Sequence, residues 1–146
     1  MVEFVGFAPS PKVPEGSRLL TNQFIVDVNV SYKDAAATLL TKVAATQWLA
    51  SVQTWQLDLG SKIIFTDGDL AGIVATVTET NLPRSLALIA NEFGQLRILA
   101  SKTQDGARIE IEFARWSLPE DEARFLELSN AVIQRAQILL EAVRVG

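Results

Sequence analysis

Residues 107–144 read A-R-I-E-I-E-F-A-R-W-S-L-P-E-D-E-A-R-F-L-E-L-S-N-A-V-I-Q-R-A-Q-I-L-L-E-A-V-R, and two hydrophobic periods meet within them. Ile109, Ile111 and Phe113 alternate with Glu110, Glu112 and Ala114, a period of two that puts one face of a strand in a core and the other in water. The period then changes. Phe125, Leu128, Val132, Ala136, Leu139 and Val143 recur at steps of three and four, with Leu126, Ile133 and Leu140 widening the stripe, which predicts a helix over 118–144. Ser117 with Glu120 three residues on has the capping-box pattern, Pro119 suits a first turn, and Glu120, Asp121 and Glu122 complement the positive helix end. An apolar stripe of this length needs a partner of matching size, and within one chain that partner is the concave face of a sheet.

Upstream, strand-like runs follow one another as far as residue 113: VQTWQLDL, SKIIFT, AGIVATVTET, RSLALIA, GQLRILASKT and ARIEIEF. Turn signals separate them at Gly60, Asp67-Gly68-Asp69, Asn81-Leu82-Pro83, Asn91 to Gly94 and Asp105-Gly106. The last reads as a hairpin, because Asp-Gly suits a turn with positive φ. Short loops between neighbouring strands make the sheet antiparallel. Farther upstream, Phe24, Val26, Val28 and Val30 alternate with polar residues and predict a strand over 22–30. Ser31 with Asp34 gives a weak cap for a helix carrying Ala35, Ala36, Leu39 and Leu40, and a second short helix is expected over 46–51 with Trp48 and Leu49 inside. Pro9, Pro11 and Pro14 favour an extended arm over 1–18; a proline-helix ligand motif in it is the lesser reading.

At 146 residues, 49% of them hydrophobic, the chain is expected to form one domain after that arm, residues 19–146. It contains no Cys and no His, which removes disulfides, thiol nucleophiles, zinc ribbons and His-based triads. Thirteen Lys and Arg against 17 Asp and Glu give a net charge of −4 with no polybasic stripe, so no nucleic-acid partner is expected. The uncharged stretch 43–57 is too short and polar for a membrane span, and the N-terminal sequence fails as a secretory signal, so the expected location is cytoplasmic.

Strand, two small helices, a run of antiparallel strands and one long C-terminal helix is the order of the α+β helix-grip fold. Trp48-Leu49, Gly60-Ser61-Lys62 leading to Phe65, Ala75-x-Val77-x-Glu79 and Pro83-x-x-Leu86 resemble, in that order, the family related to the activator of the Hsp90 ATPase, within the START-like and Bet v 1-like superfamily. Ala75 stands where that family has Gly. The resemblance covers 22–144 and implies a cavity between sheet and helix that holds an apolar small molecule or lipid. Phe24, Val26, Leu88, Ile98, Ile111 and Phe113 have the apolar parity of their strands and suit the lining, with Trp48, Trp55, Phe65, Phe125, Leu128 and Val132 to complete the wall. The same residues suit a solid core equally.

Asp67, Asp69 and Gly72 match three positions of a calcium loop, but Ala71 and Thr78 stand where two ligands belong, so a polar turn is expected and no metal. Glu110 and Glu112 share the face opposite the core and are expected in water. Phosphate-binding Gly loops do not occur. The leading expectation is a non-enzymatic binder of an apolar molecule, without cofactor. The alternatives are a polyketide cyclase or dehydratase using a carboxylate or Tyr32, and an interaction module for a chaperone ATPase. Oligomeric state is not readable.

Overall fold

The computed structural model describes residues 15–145, with side chains through residue 142. The expected arm over 1–18 and the stripe residue Val143 thus fall largely outside the described part. Among the described residues, six strands form one curved antiparallel sheet: β1 (Arg18–Val28), β2 (Lys62–Ile64), β3 (Val74–Asn81), β4 (Ser85–Ala90), β5 (Gly94–Lys102) and β6 (Ala107–Ser117), in the order β1-β6-β5-β4-β3-β2. Two short helices, α1 (Tyr32–Leu40) and α2 (Lys42–Trp48), follow β1, and α3 (Pro119–Val145) closes the chain. This is the helix-grip fold. α3 lies across β1 and β6 and touches α1 and α2 as well.

Strand alternation decides which side chains α3 meets. Three inward rows cross the sheet: Phe24 stands opposite Ile111, Ile98 opposite Ile111 and Leu86 opposite Ile98. Beside this row runs Asn22, Phe113, Leu96, Leu88 and Val77, and Val26, Ile109 and Ala100 form the third. Glu110 and Glu112 take the opposite parity and are half-buried on the outer face. In β3 a bulge between Val77 and Glu79 reverses the parity, so that Glu79 pairs with the outward Arg97 at 3.4 Å.

Several boundaries depart from the expectations. The run VQTWQLDL is not a strand: Val52 makes a single bridge to Phe65 and the rest is irregular. The second helix begins at Lys42, four residues early, because Thr41 caps it by accepting from the Ala44 N–H at 3.2 Å. Ser31 does cap α1, accepting from the Asp34 N–H at 3.2 Å. Ser117 does not cap α3; it ends β6, and its Oγ accepts from Arg115 Nη1 at 2.7 Å. The Asp105-Gly106 turn joins β5 to β6, but Gly106 is not in the positive-φ region. Its lack of a side chain serves close approach instead, since a Cβ there would strike the Val28 carbonyl oxygen.

Candidate functional site

The twelve side chains expected to line a cavity come from the sheet, from α2 and α3 and from two connections. Phe24 and Val26 come from β1, Leu88 from β4, Ile98 from β5, Ile111 and Phe113 from β6, and Phe125, Leu128 and Val132 from α3. Trp48 ends α2, while Trp55 and Phe65 belong to the connections flanking β2. All belong to one apolar cluster, ten of them within its buried part and Phe24 and Trp55 half-buried against it. Trp48, Leu88, Ile111, Phe125 and Val132 are 0% exposed, so no water-sized space touches them. The interior is therefore closed, with access limited to its rim.

Polar anchors hold the helices over this layer. The indole N–H of Trp48 donates to the Leu39 carbonyl and that of Trp55 to the Leu40 carbonyl, each at 2.8 Å, satisfying two carbonyls that the end of α1 leaves without helical partners. Arg135 of α3 does the same for α2. Its Nε donates to the Trp48 carbonyl at 3.1 Å and its Nη2 to the Leu49 carbonyl at 3.2 Å, while Nη1 pairs with Asp69 at 2.9 Å. Asp67 accepts from the Ser51 N–H and hydroxyl, both at 2.9 Å, and these bonds hold its carboxyl below the usual range. The two aspartates of the calcium-like turn therefore face different partners, as suits a polar turn.

Sequence reasoning missed a polar contact inside the helix–sheet interface. Asn22 Nδ2 donates to Ser129 Oγ at 2.9 Å and to Asn130 Oδ1 at 2.7 Å, and Ser129 is fully buried. The available signal was parity, since Asn22 lies two residues before Phe24 on the inward face. Phe93 was missed too: it lies within the β4–β5 turn yet is buried, edge-on to Phe113 with ring centroids 5.7 Å apart. At the end of the interface where α3 begins, Arg18 grips Glu122 through two bonds of 2.7 and 3.1 Å. That hydrogen bonding holds the Glu122 carboxyl below its usual range. Arg115 donates to the Asn91 carbonyl and to Ser117 Oγ, each at 2.7 Å, and lies 3.9 Å from Asp121. Among the described residues every buried side-chain nitrogen and oxygen has a partner, no acid cluster suits a metal ion, and no helix is long and apolar enough to cross a membrane.

No family model matches the chain, and no curated protein matches it in sequence. Solved structures do match it in fold. The protein MLL2253 from Mesorhizobium loti superposes with a TM-score of 0.67 at 12% identity, over 84% of this chain and 98% of its own. BH1534 from Bacillus halodurans gives 0.67 at 12% identity, over 85% of this chain and 99% of its own. The Aha1 dimer from Colwellia psychrerythraea gives 0.64 at 11% identity, over 87% and 98%. At these identities the likeness is one of fold.

Proposed function

We propose that this chain is a START-like binding domain that takes up an apolar small molecule or lipid between its curved sheet and α3. The observation that supports the reading is the convergence of twelve apolar side chains from sheet, helices and connecting loops on one continuous layer. The Aha1 neighbour agrees with the START-like reading at the level of fold. Because the layer is closed, an occupant has to take the place of existing contacts. A ligand with ten methylenes gains about 8 kcal/mol on burial, comparable to the whole stability of a domain, about 5–15 kcal/mol. Such a gain offsets the exposure of a few side chains, each worth about 1.5–3 kcal/mol. Phe24, half-buried at the rim, is a side chain whose displacement would admit it, whereas displacing Trp55 would also break its bond to the Leu40 carbonyl.

Native mass spectrometry of the purified full chain, with displacement of a fluorescent fatty acid by uncharged long-chain alcohols, tests the reading. The expected result is a one-to-one complex and competition that strengthens with chain length. Absence of both, for every apolar probe, overturns it.

A further inference from the structure

We propose that the concavity between the start of α1 and the β5–β6 hairpin binds a small oxyanion, a phosphate or carboxylate group, held by Lys33 and Lys102 beside the Tyr32 ring. The concavity has a volume of about 430 Å³, and its walls include Ser31, Tyr32, Lys33, Lys102, Thr103 and Gln104. Two of these wall residues, Lys33 and Lys102, are cations although the chain carries a net charge of −4, and Arg84, which is not part of the wall, approaches the same Tyr32 ring. Lys102 Nζ lies 5.7 Å from the Tyr32 ring centroid, and the Arg84 guanidinium carbon lies 5.9 Å from it.

The arginines at 18, 97, 108, 115 and 135 each face an acid. Lys33, Arg84 and Lys102, like Lys42, Lys62 and Arg124, do not: among the described residues no carboxylate lies within ion-pair distance of them, and what sets Lys33 and Lys102 apart is that they line one concavity. Uncompensated like charges repel one another, and an anion between them removes that repulsion. The ring attracts the ammonium of Lys102 to its face and holds it at the wall. Around the cations stand neutral donors suited to an oxyanion: the hydroxyls of Ser31 and Thr103 and the amide of Gln104. Ser31 Oγ accepts from the Asp34 N–H, which leaves its hydroxyl hydrogen free to donate outward. The site is a surface feature and does not depend on the apolar interior opening.

Amide NMR spectra of the full chain, titrated at low ionic strength with inorganic phosphate and separately with acetate, test the assignment without any apolar probe. Saturable shifts confined to residues 31–34 and 102–106 are expected, and preference between the two probes identifies the phosphate or carboxylate source. In the Lys33→Gln/Lys102→Gln double variant, affinity is expected to fall by about tenfold or more with the remaining spectrum unchanged. Lys42→Gln, an exposed cation elsewhere on α2, is expected to leave affinity as it was. Shifts that grow linearly without saturation or spread over the whole surface, or equal affinity in the double variant, overturn the assignment.

Discussion

Asp67 shows how a single residue can be placed by its neighbours' backbone. Its carboxyl is held low first by the Ser51 N–H and then by the Ser51 hydroxyl. A group whose pKa is lower in the folded than in the unfolded chain stabilises the fold fully above its ordinary value, near ~3.9, and loses that contribution as pH falls through the folded value. Carboxyl NMR titration should therefore find Asp67 below the ordinary aspartate midpoint. Ser51→Ala should raise that midpoint only part of the way, because the backbone N–H remains. An ordinary midpoint in the unmodified chain contradicts this. Residue-scale roles of this kind were scarcely legible in the sequence. Ser117 has the right spacing for a cap, but β6 extends through it and Arg115 claims its hydroxyl. Asn22 reads as an ordinary strand residue until α3 brings Ser129 and Asn130 against it.

At the scale of elements, alternation and helical spacing were legible wherever one face is buried. The strands β5 and β6 and α3 fall close to their expected places because their apolar periods are unbroken, and β3 does so although a bulge reverses its parity after Val77. Where a side chain serves another element, the local pattern misleads. The run 52–59 has strand-like composition, but Trp55 is committed to the end of α1 through its indole N–H. Thr41 ends α1 and starts α2 at once, a double use that erases the gap expected between two helices. Trp55→Phe keeps the ring's bulk and removes the donor, leaving the Leu40 carbonyl to solvent or to no partner. Chemical denaturation should show a loss of about 1 kcal/mol, and hydrogen exchange should quicken at the end of α1 before the sheet. Unchanged stability together with unchanged exchange in α1 contradicts the capping role.

For the whole molecule, the order of elements carried the fold, and the described structure reproduces it: a curved six-stranded sheet gripping one long helix. The twelve candidate residues fall in or against the one apolar cluster, because the same alternation that builds a core builds a pocket wall. That equivalence is the physical reason sequence alone left solid core and ligand site undivided. The approach of cations to Tyr32 was illegible for another reason, since Arg84 and Lys102 are far from it in sequence and reach its ring only when α1, the β3–β4 turn and the end of β5 come together. An apolar occupant that binds the interior of the folded state alone must slow the opening of that state. Hydrogen exchange of the full chain with and without dodecanol measures this directly. At a concentration about 100 times the dissociation constant, the slowest amides of β5, β6 and α3 should exchange about 100-fold more slowly; identical rates at every amide, up to the solubility limit of the alcohol, contradict the account.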